Sequence, residues 1–436
     1  MTFIAAFATS TASAQRLSND SSAAMPDRST YSIEYRVRIV ERNPAVAHVR
    51  WKLAGIDEIR RIRLGLRGDR FYGFSGTGTF EQRGHDLIWV PGNPYAHLEY
   101  KVRLRSRRGP SKGFDSYSSP SWAITRAQAL FPATHVTFET QIEREPRSRS
   151  RIVFHLPRGW RAYTAMEEVS PGVFRPDSRG QRLDRPSGWI AMGRLEVADR
   201  TIAGIRVVVA KAPGSRFDID GFLDFCGRTI PPLAEIVGHR PARLLVVSGP
   251  DPMWHGGLSG ENSFFLHGDR PLRTPDRTSP PLHELFHLLA RFHPAPDAHW
   301  VSEGLAELYS LELQRRVGLL DEVEYRRGLR FLAKYGRWHV NLTAQRDNAA
   351  TNNSAPLVIQ AIDQAIRRST NGRRSLDDVV HEISEARDPL TTAEFLRVVS
   401  TVAGRNFTPF FQRHVYAGEP PRGFLLPLPA DRPDEP

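Results

Sequence analysis

Leu282-His283-Glu284-Leu285-Phe286-His287-Leu288-Leu289 is the segment from which the rest of this chain is best read. Apart from His283, Glu284 and His287 it is wholly apolar, the composition of a buried helix. Residues four apart on a helix project from one face. Both imidazoles can therefore reach one metal ion, while Glu284 points at a water on that ion. Three fixed letters are a modest signal alone, so the neighbouring sequence has to carry weight.

Downstream, Trp300-Val301-Ser302-Glu303-Gly304-Leu305-Ala306-Glu307 also reads as helix. Glu303 can complete a His2Glu zinc site with the fourth position left open. Glu307, one turn later, is placed to accept the free ring N–H of a ligand histidine, His283 above all. A lone histidine on an apolar helix is usually a hydrogen-bonded core residue, and a glutamate near a helix start is usually a cap. Two histidines, an intervening glutamate and a downstream Glu-Gly-x-Ala-Glu would together be an odd set of buried polar groups without a metal. Cys226 is the only cysteine, which excludes an intrachain disulfide and a thiolate zinc cluster. The expected cofactor is one zinc ion per chain, on His283, His287 and Glu303.

Around this centre the chain divides by period. From Tyr31 to Ile39 apolar and polar residues alternate strictly, and the same period of two returns at Val49-Trp51-Leu53, Ile62-Leu64-Leu66 and Leu98-Tyr100-Val102-Leu104. Further apolar runs at Ile152 to Leu156 and Ile205 to Ala210 read as strands. Residues 29–213 are therefore expected to form a β-rich, sandwich-like N-terminal domain. Beyond Pro213 the sequence reads as a helix from Asp218 to Val237 broken at Pro231-Pro232, a strand at Leu244 to Val247, and another at Ser263 to His267. Helices dominate from Pro280, with candidates at Leu282 to Phe292, Val301 to Val317, Asp321 to Tyr335, Leu357 to Arg368, Leu376 to Ala386 and Thr392 to Val402. The expected fold class is multidomain α+β: the β domain, a catalytic domain over 214–340, a helical domain over 341–420 and a loose tail over 421–436.

The formal net charge of +12 over 436 residues would suit a polyanion. Yet lysine occurs only at 52, 101, 112, 211 and 334, and the arginines are spread along strands and helices alike. That distribution reads as solvated faces rather than a nucleic-acid surface. No run of eighteen apolar residues is present, so no ordinary membrane-spanning helix is expected. Met1 to Ala14 has a short apolar core ending in Ala12-Ser13-Ala14, the small-x-small pattern of a signal-peptidase site, although no basic residue precedes it. Export is the expectation; the oligomeric state is not legible.

His283 to His287 followed by Trp300-x-x-Glu303-Gly304 resembles the gluzincin aminopeptidases, and the whole layout is most similar to the M61 glycyl aminopeptidase family. Gly256-Gly257-Leu258-Ser259-Gly260-Glu261-Asn262-Ser263 is similar to that family's Gly-Gly-Leu-Glu-His-x-x-Ser segment. Leu357 to Asp363, Arg373 to Asp378 and Phe410 to Gly418 resemble its C-terminal helices. The resemblance implies a thermolysin-like catalytic domain, a peptide substrate and a cleft lined by Gly256, Gly257 and Leu258. Two departures stand out. Ser259 replaces the glutamate that would hold a free α-ammonium, leaving Glu261 as the candidate for that role. Asn352, or a neighbour in Asn352-Asn353-Ser354-Ala355, stands where the family often has an oxyanion-stabilising tyrosine, leaving Tyr309 or Tyr335 as candidate substitutes.

The expected chemistry is zinc-assisted peptide hydrolysis with Glu284 as general base. The alternative is a zinc-containing peptide-binding or scaffold protein that has lost turnover, for which the two departures speak.

Overall fold

The computed structural model describes residues 30–55, 59–66, 68–109, 112–138, 147–176, 185–344, 350–386 and 388–421. The leader-like segment 1–14 and all but the first residue of the tail 421–436 lie outside them.

Thr30–Val40 is the organising strand of the N-terminal half. It pairs antiparallel with Asn43–Ala54 and parallel with Arg147–His155 in a seven-stranded sheet. The strict alternation of this strand buries Tyr31, Ile33, Tyr35, Val37 and Ile39 on one face. A four-stranded sheet, ordered Ala133–Phe138, Ile59–Gly65, Asp86–Val90, Thr79–Arg83, contributes Ile62, Leu64 and Trp89 to the same core. Edge-to-face contacts of Tyr35 with Trp51 and Phe131, at ring-centroid distances of 5.1 and 5.0 Å, fill its centre.

A five-stranded sheet joins the two halves. In its strand Trp189–Gly193 every residue is buried, because the two faces serve different cores. Ile190 and Met192 enter the core just described, while Trp189 and Ala191 pack with Val208, Ala210, Val247 and Phe265.

The last sheet runs Glu196–Ile202, Ile205–Lys211, Arg243–Gly249, Ser263–His267, Gly257–Gly260. Its first two strands lie before the expected boundary at 213. They form a hairpin whose second strand pairs in parallel with Arg243–Gly249, so residues 196–211 share a sheet with residues beyond that boundary. The helix Ile219–Val237 provides the crossover and is continuous through Pro231 and Pro232, where a break was expected. Ile230, Leu233, Ala234, Ile236 and Val237 are all buried, and this apolar face holds the helix on its core across the two lost amide donors.

The helices Pro280–Ala290, His299–Arg316, Glu322–Tyr335, Ala355–Ser369, Leu376–Ser384 and Thr392–Ala403 share one large core with the opposite face of that sheet. Trp300 is fully buried there, beside Phe395 and Phe411, and its indole N–H donates to Thr392 Oγ1 at 3.1 Å. Trp300→Ala should lower stability by about 3–5 kcal/mol in a denaturant titration, from lost burial and the cavity left behind. No helix among the described residues is long and apolar enough to cross a membrane.

Candidate metal centre

The helix carrying His283 is punctuated at both ends. Ser279 caps it, its hydroxyl accepting from the Leu282 amide, and Pro280 and Pro281 occupy the first turn, where amide donors are not needed. Arg291 ends it in a left-handed conformation at φ 56°. Leu282, Leu285, Phe286 and Leu289 are fully buried, which turns His283 and His287 toward the helix His299–Arg316. Phe286 stacks on Tyr309 of that helix with 5.1 Å between ring centroids. On its far side Gly304 admits the helix Ala355–Ser369: a Cβ there would meet Ala355 Cβ at 2.9 Å and Ile359 Cδ1 at 2.7 Å.

Between these helices three donor groups converge. His283 Nε2 and His287 Nε2 lie 3.1 Å apart, and the Glu303 carboxylate is 3.4 Å from the first and 3.6 Å from the second. Tetrahedral zinc, with bonds of about 2.0–2.1 Å, sets its donors about 3.4 Å apart. The other nitrogen of each ring is engaged. His283 Nδ1 donates to Glu307 at 2.8 Å, and His287 Nδ1 lies 3.4 Å from the Ser302 hydroxyl. Those partners direct both Nε2 lone pairs at the same point. Side-chain exposures of 14%, 18% and 20% for His283, His287 and Glu303 leave the point open on one side.

The electrostatics match a cation-binding pocket. Burial opposes a charge on His283, but Glu303 and Glu307 outweigh it and raise its pKa well above the usual imidazole range. Burial and the neighbouring His283 lower His287 to about 4, which keeps it neutral. Burial alone would raise Glu303; the two histidines pull it down to about 2 instead. Positive charge at this point is thus strongly favoured.

Glu284 lies beside the edge strand Gly257–Gly260. A Cβ on Gly257 would come within 3.1 Å of Glu284 Oε1, so the missing side chain makes room for the carboxylate. Burial raises the Glu284 pKa, opposed in part by His283 and by hydrogen bonds from the Ser259 side chain and backbone. Gly256 is close-packed on the Trp254 ring, and the Leu258 carbonyl accepts from Trp189 Nε1 at 2.8 Å. The remaining candidates sit elsewhere. Glu261, exposed in the turn beyond the edge strand, accepts from the Ser187 hydroxyl. The Tyr309 hydroxyl, offered above as an oxyanion donor, is committed to Asp377 at 2.6 Å because a buried phenol needs a partner. Tyr335 is half-exposed, packing on Phe331 with Lys334 over its ring. Asn352 lies in the π-helical turn Ala350–Ser354, where its carbonyl accepts from the Thr351 hydroxyl.

Sequence reading gave Ser302 no role and took Ser259 only as a departure, not as a partner of Glu284. Ser302 stands immediately before Glu303 and could have been noticed, whereas Ser259 reaches Glu284 only through the fold. Because Glu307 orients His283, Glu307→Ala should weaken zinc binding by about 10–100-fold, measured by competition with a chromogenic chelator.

No protein-family model and no curated protein sequence matches the chain. Solved structures do. An aminopeptidase N family protein from Idiomarina loihiensis superposes with a TM-score of 0.70 at 14% identity, over 88% of this chain and 76% of its own. An M1 zinc metallopeptidase from Deinococcus radiodurans, in a substituted form bound to a Tyr-Ser-Ala substrate, gives 0.59 at 15% identity, over 92% and 96%. Its unsubstituted form gives 0.57 at 15% identity, over 93% and 96%. At these identities the likeness is one of fold: the chain has the multidomain α+β architecture of M1 zinc metallopeptidases.

Proposed function

We propose that the chain is a zinc-dependent metallopeptidase, aminopeptidase-like in its cleft, in which His283, His287 and Glu303 hold one zinc ion and Glu284 is the general base. The observation that carries this reading is the pair of Nε2 atoms facing each other at 3.1 Å with the Glu303 carboxylate closing the triangle. A proton on His283 satisfies the two rings as a hydrogen bond, whereas one metal ion satisfies both nitrogens and the carboxylate together.

Zinc held there supplies a Lewis acid that polarises a scissile carbonyl and acidifies a water. Glu284, with its pKa raised by burial, takes the proton released in the attack and passes it to the leaving amine. Ser259 holds that carboxylate in place. Among the described residues the edge strand Gly257–Gly260 has a strand partner on one side only, and an extended peptide can pair along its other side. Glycine at 257 lets that peptide approach Glu284 closely.

The domain assignment follows the same reading: an N-terminal β-sandwich-like unit, a thermolysin-like catalytic unit and a helical C-terminal part. The M61 glycyl aminopeptidase resemblance rests on the 256–263 segment and the C-terminal helices, beside the M1 likeness in fold. Export rests on the leader-like N-terminus. A second reading, a zinc-containing peptide binder without turnover, draws on the commitment of the Tyr309 hydroxyl to Asp377.

Zinc-free protein should hydrolyse neither free nor N-blocked short peptides, and stoichiometric zinc should restore cleavage. If Glu261 leaves Ser187 to hold a free α-ammonium, free peptides should be cut faster than blocked ones, and equal rates would count against the aminopeptidase-like part of the reading. Tight binding of the same peptides by zinc-replete protein without cleavage would favour the second reading.

A further inference from the structure

We propose that Asp251, His255 and His267 form a second site for a divalent transition metal, separate from the cluster on the two helices. Among the described residues they are the other group whose ligand atoms all lie within 4.8 Å of one another. His267 is the last residue of the strand Ser263–His267, is 1% exposed, and has no hydrogen-bond partner for its Nε2. Burying a ring nitrogen without a partner is costly, and such atoms call for a specific explanation. The Nε2 is directed at the Asp251 carboxylate, whose Oδ1 lies 3.8 Å away, beyond hydrogen-bond reach. The same oxygen is 2.7 Å from His255 Nε2. The two imidazoles lie face to face, 3.8 Å between centroids with planes 20° apart.

An ordinary His255–Asp251 surface pair would account for one of these rings and leave the other unexplained. A cation bridging the two Nε2 atoms and Asp251 Oδ1 accounts for both. His255 and Asp251 are exposed, which leaves room for the ring and carboxylate to turn until their donor atoms meet at one point. As they stand, the Asp269 amide donates to His267 Nδ1 at 3.2 Å, which puts the ring proton on Nε2. Metal uptake shifts the ring's single proton from Nε2 to Nδ1 with no net release, and the Asp269 amide gives up its bond to that nitrogen. There the Asp269 carboxylate, 3.8 Å away and already paired with Arg216, becomes its acceptor. Two imidazoles and one carboxylate suit zinc or a neighbouring transition metal rather than calcium or magnesium.

The site would tie the segment after Gly249 to the end of the adjoining strand. His255 immediately precedes Gly256-Gly257, and the His267 amide donates to the Gly256 carbonyl at 3.1 Å. A metal here fixes the start of the strand that lies against Glu284.

Zinc uptake by the full chain, followed by titration calorimetry and metal analysis, tests this. Wild type should bind a second equivalent that His287→Ala retains and that His255→Ala and Asp251→Asn each lose. The loss should exceed the roughly 10–100-fold weakening typical of removing a neighbour that merely supports a ligand. Both substituted residues are exposed, and circular dichroism establishes that the variants fold. Equal stoichiometry and affinity in wild type, His255→Ala and Asp251→Asn would overturn the proposal. So would a wild type whose only zinc is lost in His287→Ala. A single equivalent lost in His255→Ala but kept in His287→Ala would support this site and count against the cluster on the helices.

Discussion

Glu303→Ala is expected to leave a folded chain that neither keeps the zinc of the helix cluster through dialysis nor hydrolyses peptides. The carboxylate closes the triangle at 3.4 and 3.6 Å from the two Nε2 atoms, and it is the anionic member of the donor set. Removing it leaves two neutral imidazoles, a weak pair of donors for a divalent ion. Loss of a group that only orients a ligand costs about 10–100-fold in affinity, so loss of the ligand should cost more. The backbone should tolerate the change, because the helix His299–Arg316 is held by Trp300, Leu305 and Leu308 rather than by Glu303. Zinc content after dialysis against a competing chelator reads the first effect, and peptide release reads the second. A Glu303→Ala protein that retained the zinc of this cluster and cleaved like wild type would remove Glu303 from the centre.

The second large effect separates chemistry from metal binding. Glu284→Gln should retain zinc at the cluster yet lose about 10²–10⁴-fold in turnover, the usual contribution of a positioned general base. Glutamine keeps the shape and can still accept from Ser259, but it cannot take up a proton. Its neighbours predict little structural change, since Gly257 makes room for either side chain. Zinc content equal to wild type together with unimpaired hydrolysis would exclude Glu284 as the base. Loss of zinc in this variant would instead make Glu284 part of the binding site.

Local order explains which of these features could be read from sequence. His283 and His287 are one turn apart, so a helical period alone puts them on one face, with Glu284 adjoining the first. Strands such as Thr30–Val40 were legible for the same reason, with period two. What period cannot give is the identity of a partner. Ile205 to Ala210 read as a strand, but the preceding strand Glu196–Ile202 was not seen, and only the parallel pairing with Arg243–Gly249 reveals the sheet they share. The hydrogen bond from Ser259 to Glu284 likewise crosses from an edge strand to a helix. Pro231-Pro232 read as a break because local preference was weighed without the buried face that holds the helix together. Tyr309 looked available from its place beside the motif, yet its hydroxyl points to Asp377, a residue far along the chain.

Whether one zinc ion sits between the two helices is decided by anomalous diffraction at the zinc edge from zinc-loaded wild-type crystals. A peak is expected about 2.0–2.1 Å from His283 Nε2, His287 Nε2 and a Glu303 oxygen. Zinc-replete crystals with no peak among those three side chains would contradict the zinc assignment.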